Sequence, residues 1–222
     1  MLNHVKSVEE NGFAIVSGCL SDQAAESLCS EFGSTKHPRR NLLDIPSVRE
    51  LATSESVRGL VVAVLGKECF AVRGILFNKT PDSNWKVVWH QDRTIAVRER
   101  KEVPQFGPWS IKAGVQHVQP PASVMAGMLA VRLHLDESHA DNGPLRVIPG
   151  SHRVGCLSPS EIATWKERQS VICTAPKGGA ILMRPLLVHA SSRCLRPHQR
   201  RVIHLEFAAD DLPNGLEWHD RV

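Results

Sequence analysis

The chain has 222 residues, a mass of 24.5 kDa, 42% hydrophobic and 23% charged side chains, and a formal net charge of +4. That length makes one large domain or two small ones with a sizeable core, and the composition excludes disorder, collagen and coiled coil. No apolar run approaches the ~18 residues that a membrane span needs, and no dense Lys/Arg block interleaves with aromatics to suit nucleic acid.

The six Cys are scattered with no CxxC pair, so they read as reduced core residues and a structural zinc site is not expected. The first residues, MLNHVKSVEENG, lack a signal-peptide apolar region, and the last, HDRV, match no retention or peroxisomal address. The expected location is the cytoplasm.

Gly12–Gly18 (GFAIVSG) reads as a short strand. Ser21 is placed to N-cap a helix over DQAAESLCSEFG, with Asp22 in its first turn and Gly33 at its end. Residues 34–46 read as a polar loop with a basic cluster at Lys36, Arg39 and Arg40. PSVRELA and SESVRGLVVAVLG are helical patterns, the second stopped by Gly66. From residue 68 the pattern turns to β, in ECFAVRGILFN and VVWHQDRTIAV. Residues 98–123 carry Pro104, Pro108, Pro120 and Pro121 and read as a loop of the length used for lids. MAGMLAVRLHLDES, an Asn142–Gly143 hairpin signal and PLRVIPGSH follow. Ser158, Pro159 and Glu161 form a capping box that starts a helix to about Gln169. SVICTA, GAILMRPLLVHAS and RRVIHLEFAAD are strand-like. Seven or eight short strands after a helical start suggest a β-sandwich or barrel with helices packed outside.

Two segments have the form His-x-Asp: His90-Gln91-Asp92 and His134-Leu135-Asp136. On a strand, residues i and i+2 face the same side, so each pair presents an imidazole and a carboxylate together. That supplies two of the three ligands of a two-His, one-carboxylate iron site. The third should be a His on a later strand, and His189 in LLVHASS lies on such a run. Arg200 and Arg201 open the next run, and a guanidinium fork suits a carboxylate. A metal triad with an Arg is what a 2-oxo-dicarboxylate bound to iron requires. Spacing alone does not choose between the two pairs. Context favours the first, because VVW precedes His90 and a long loop follows Asp92, whereas Asp136 runs within six residues into the Asn-Gly turn.

WHQD at 89–92, the preceding FNKTPDSNW, DNGPLRVIPGSH at 141–152 and HASS…RRVIHLEF at 189–207 together resemble the phytanoyl-CoA dioxygenase family, in the family's order over about residues 70–208. The resemblance implies a mainly β (α+β) chain: a double-stranded β-helix, or jelly roll, over 68–210, flanked by a strand and helices over 1–67. It implies Fe(II) and the cosubstrate 2-oxoglutarate, with dioxygen and a small-molecule substrate as partners. His90, Asp92 and His189 match the iron ligands. Arg200 matches the Arg on the distal carboxylate of 2-oxoglutarate, Ser191 a Ser that assists it, and Ile75 a position that packs on the cosubstrate. Arg132 falls where relatives often carry a Trp beside the cosubstrate, which implies either altered contacts there or an anionic substrate. Arg39 and Arg40 fall near a Lys that relatives place by the cosubstrate. Related halogenases replace the carboxylate ligand with a small residue. With Asp92 present, the implied reaction is hydroxylation with release of succinate and CO2. The competing reading is a jelly-roll metal protein without oxygenase turnover, such as a cupin-like isomerase or ligand-binding module.

Overall fold

The computed structural model describes residues 2–33, 38–195 and 199–222. Four helices form its N-terminal flank: α1 (Leu2–Asn11), α2 (Asp22–Phe32), α3 (Pro46–Thr53) and α4 (Glu55–Leu65). The Ser21 hydroxyl accepts from the Ala24 amide at 3.2 Å, as its N-cap position requires, and α2 ends at Gly33 with φ +51°. α1 was not expected. Among its described side chains Val8 is fully buried, so packing against the core makes it helical.

The helices bury Leu28, Phe32, Val48, Leu51, Val57 and Val61 against one face of a five-stranded antiparallel sheet. Its order is β1 (Phe13–Val16), β10 (Ala180–Met183), β7 (Met128–His134), β12 (Arg200–Ala208), β2 (Phe70–Lys79). Strand parity divides the faces. Val131 and Leu133 of β7 and Ile203, Leu205 and Phe207 of β12 meet the helices, and the residues between them face inward. Opposite that inner face lies a four-stranded sheet, β3 (Val87–His90), β11 (His189–Ser191), β8 (Leu145–Val147) and β9 (Val171–Cys173). The chain passes between the sheets at β2–β3, β7–β8, β9–β10, β10–β11 and β11–β12, which makes a double-stranded β-helix, or jelly roll.

Four expectations need correction. Asn142–Gly143 is not a hairpin turn: it carries the chain from β7 in one sheet to β8 in the other. VVWHQDRTIAV and GAILMRPLLVHAS each split into two strands, at 91–94 and 184–188. In the second, Pro185 offers no N–H to a ladder. Residues 98–123 are not one long loop. They contain β5 (Trp109–Lys112) and β6 (Val115–Val118), which pair with β4 (Ile95–Val97) as a third sheet, and α5 (Ala122–Ala126). The helix started by the Ser158 capping box, α6 (Pro159–Trp165), is shorter than expected. The six cysteines form no disulfide among the described residues, and no helix among them is long and apolar enough to cross a membrane.

Gly143 lies where the sheet crossing meets the interior. Its φ is +70°, and a Cβ there would stand 2.5 Å from the Ser192 carbonyl and 2.9 Å from Lys79 Nζ. Gly143→Ala should therefore destabilise the fold by roughly 1–3 kcal/mol. Urea midpoints of the two proteins check this, and equal midpoints would show that the crossing relaxes freely.

Candidate active site

His90 ends β3 and pairs in register with His189 of β11, which stacks the two imidazoles with centroids 4.1 Å apart. Each ring donates from Nδ1 to the backbone carbonyl two residues earlier, His90 to Val88 and His189 to Leu187, both at 2.8 Å. That fixes both tautomers and leaves both Nε2 lone pairs outward. The two Nε2 atoms face opposite oxygens of Asp92, at 3.7 Å from His90 and 3.6 Å from His189. Those separations are beyond hydrogen bonding; burial lowers the His189 imidazole to about 4, whereas Asp92 outweighs burial at His90 and raises that imidazole. Three lone-pair donors converging within 4.8 Å of one another fit a divalent metal with open positions.

The local chain explains the convergence. Gln91, between His90 and Asp92, is buried and uses its amide fully: Nε2 donates to the Gly155 and Leu186 carbonyls at 2.8 and 2.7 Å, and Oε1 accepts from the Leu157 amide at 2.8 Å. The Asp92 amide donates to the Pro185 carbonyl at 2.9 Å, which turns the chain out of β3 and returns the carboxylate toward the imidazoles.

Across the cavity from the triad stand three cations of the larger sheet's inner face: Lys79, Arg132 and Arg200. Lys79 and Arg200 are cross-strand partners, 2% and 4% exposed, and neither has an acidic partner among the described residues. Lys79 Nζ donates to Ser191 Oγ at 2.6 Å and to the Ser192 carbonyl, and Ser191 Oγ donates to the Gly143 carbonyl at 3.0 Å. Arg200 Nε is buried with no partner. Burial, then the neighbouring Arg200 and Arg132, lower the Lys79 ammonium to about 8; burial, then Arg132, lower Arg200 to about 10. Two buried, uncompensated cations side by side fit a carboxylate ligand.

Parity separates Arg201 from Arg200. Arg201 leaves the cavity and grips Asp136 through Nε and Nη2, both at 2.8 Å. Asp136 is thereby engaged, whereas His134 is buried with neither ring nitrogen partnered, lowered to about 3 by burial and then by Arg132 and Arg200. Neither belongs to a three-ligand cluster among the described residues. Ile75 is buried opposite His204 and is not among the residues lining the cavity; Phe77, two residues on, is. The basic run after Asp92 points elsewhere: Arg93 donates to the Leu157 carbonyl, and Arg98, Arg100 and Lys101 pair with Glu217, Glu102 and Glu99. Arg40 lies beside Arg73, and Lys36 lies outside the described residues. Lys79, Phe77 and Trp85 were missed. The signal for the first two was present, since they continue the parity of Ile75 through FNK.

The model of the phytanoyl-CoA dioxygenase (PhyH) family matches residues 32–202. The peroxisomal phytanoyl-CoA dioxygenase of Bos taurus is 24% identical, over 93% of this chain and 68% of that protein. Among solved structures, SnoK, a non-haem α-ketoglutarate-dependent carbocyclase of nogalamycin biosynthesis, covers 100% of this chain and 93% of its own at 14% identity and TM-score 0.72. SnoN, an epimerase of the same biosynthesis, covers 96% and 88% at 16% identity and TM-score 0.70. HygX from Streptomyces hygroscopicus, crystallised with nickel and 2-oxoglutarate, covers 94% and 87% at 15% identity and TM-score 0.66.

The Arg201–Asp136 pair is part-buried and bidentate, so Arg201→Ala should cost about 1.5–3 kcal/mol of stability while leaving metal content unchanged. Chemical denaturation and metal analysis of the same preparation check both halves. Loss of metal without loss of stability would place Arg201 at the site instead.

Proposed function

Because the chain belongs to the phytanoyl-CoA dioxygenase family, we propose that it is an Fe(II)- and 2-oxoglutarate-dependent oxygenase that hydroxylates a small organic substrate. The observation that carries this reading is the pairing, across one cavity, of a three-donor metal set with two buried cations that lack a carboxylate. His90, Asp92 and His189 hold iron. Lys79 and Arg200, with Ser191, hold the distal carboxylate of 2-oxoglutarate. Bound there, iron and cosubstrate supply the oxidising chemistry, in which dioxygen is consumed, 2-oxoglutarate gives succinate and CO2, and substrate gains a hydroxyl.

The chain's own contribution is placement and exclusion of water. The backbone carbonyls of Val88 and Leu187 keep Nδ1 protonated on both ligand imidazoles, so Nε2 needs no proton shift to bind metal. Lys79 and Arg200 orient the cosubstrate by one end and so fix which way its oxo acid end points. Asp92 occupies the carboxylate position, which favours hydroxylation over transfer of another ligand. A metal protein without 2-oxoglutarate turnover would leave the Lys79–Arg200 pair without an anion. We read the location as cytoplasmic on the sequence alone; the bovine relative is peroxisomal by name.

Purified protein given iron(II), ascorbate and 2-oxoglutarate should release succinate slowly without substrate. His90→Ala, Asp92→Ala and His189→Ala should each lose stoichiometric iron and this turnover. Full iron and full succinate release in His189→Ala would sink the reading.

Lys79 adds a pH dependence. The groups that face it are Arg200 and Arg132, which lower its affinity for a proton, and Cys194, which raises it. A bound carboxylate favours the charged ammonium, so 2-oxoglutarate binding takes up a proton once the free protein has lost it. Affinity should be level below about pH 8 and fall by up to tenfold per pH unit above. Calorimetric titration of the nickel-loaded protein from pH 7 to 9 reads this, and Lys79→Gln should flatten the curve. An identical slope in Lys79→Gln would assign the proton to another group.

A further inference from the structure

Arg132 is the third cation of the cavity and has no place in the reading above. β7 sets it on the inner face, opposite His204 of β12. Its Nη1 donates to His204 Nδ1 at 3.1 Å, His204 Nε2 donates to Glu206 Oε1 at 3.0 Å, and Glu206 is ion-paired to Arg73 of β2. The relay crosses three strands and ends on a carboxylate already matched by Arg73, so it orients the Arg132 guanidinium without neutralising it. The Phe77 ring, 5.2 Å away, packs on the same group. Arg132 Nε is out of solvent and without a partner, and Arg132 is in no ion pair among the described residues. The carboxylate whose field reaches it, Asp92, makes no ion pair with it and belongs to the three-donor set with His90 and His189. A guanidinium has five N–H donors, and a neutral imidazole accepts only one of these.

Position along the fold separates this group from the Lys79–Arg200 pair. Its anchor, His204, lies four residues along β12 from Arg200, and His204 has a ring nitrogen within 4.8 Å of an Asp92 oxygen. Arg132 thus sits at the level of the metal ligands, and Arg200 at the far end of the cavity. We propose that Arg132 is a second carboxylate receptor, which takes the oxo acid end of the dicarboxylate whose distal end lies on Lys79 and Arg200. The inference rests on 2-oxoglutarate being the cosubstrate and adds that this chain grips it by side chains at both ends. Two-point binding of this kind does not depend on metal.

The test is calorimetry on chelator-treated, metal-free protein, with two analogues that each keep one carboxylate of 2-oxoglutarate. These are 2-oxopentanoate, which keeps the oxo acid end, and 4-oxopentanoate, which keeps the distal end. Metal-free wild type should bind 2-oxoglutarate. Arg132→Leu should weaken 2-oxoglutarate and 2-oxopentanoate at least tenfold and 4-oxopentanoate less than threefold, and Arg200→Leu should show the reverse pattern. Arg132→Trp, uncharged and large enough to fill the space, serves if the Leu variant does not fold. If the single-acid analogues bind too weakly to measure, a less than threefold change in 2-oxoglutarate affinity overturns the inference. Loss of 4-oxopentanoate instead of 2-oxopentanoate overturns it too, as does wild-type binding only with nickel present. Failure to bind 2-oxoglutarate with or without nickel would instead sink the cosubstrate reading itself.

Discussion

Positive charge held without a partner inside the roll is the constraint on which the rest of the molecule depends. A buried ion loses hydration worth several kcal/mol, and burying Lys79 beside Arg200 adds repulsion to that loss. The larger sheet tolerates this because its two faces do different work. Its outer face is apolar and carries the helical flank, with Leu133, Leu182, Ile203, Leu205 and Phe207 fully or almost fully buried. At ~25 cal/mol per Å² of apolar surface, that face stabilises the sheet, and on the inner face Ala130, Ile181 and Met183 add an apolar cluster beside the charged part of the cavity. Helices outside and charge inside are therefore two halves of one arrangement.

The smaller sheet contributes the opposite character. Its strands are short, and the register shifts between His189 and Ser191, so the two inward residues of β11 meet different partners. His189 joins the metal set, and Ser191 meets Lys79. Gln91 ties the segment between His90 and Asp92 to three backbone groups on the 155–157 and 184–188 connections. The proposed metal ligands are thus fixed by connections and not by long strands, which suits a site where a fraction of an ångström matters.

Much of this was legible in the sequence, and the misses share a cause. Helix starts and stops at Ser21, Gly33, Gly66 and Ser158 are local chemistry and were readable. The convergence of His90, Asp92 and His189 was readable because i, i+2 parity and a later His are properties of short stretches. The pairing of Asn142–Gly143 was not, since a turn signal does not say which sheet each flanking strand joins. Lys79 was overlooked because a Lys in a strand reads as solvated, and only the sheet crossing at Gly143 and the approach of Ser192 enclose it. The fully buried Glu206–His204 pair was hidden likewise, because the positions between apolar neighbours in RRVIHLEF face water in most antiparallel sheets and face a cavity here.

The Arg73–Glu206–His204–Arg132 relay then behaves as a unit. Replacing Glu206 alone leaves Arg73 buried without its partner and removes the acceptor that fixes the His204 tautomer, so Arg132 loses its orientation as well. Breaking such a buried pair typically costs 3–5 kcal/mol, far more than the pair contributes net when both partners are exchanged for apolar groups. Substitutions at the four positions therefore cannot be additive: the second removes a charge or dipole that the first has already orphaned. Stability alone does not account for such a network, since a well-packed apolar row across β2, β12 and β7 would hold the sheet at least as well. What an apolar row cannot do is hold a guanidinium at one angle in the cavity with most of its donors unused.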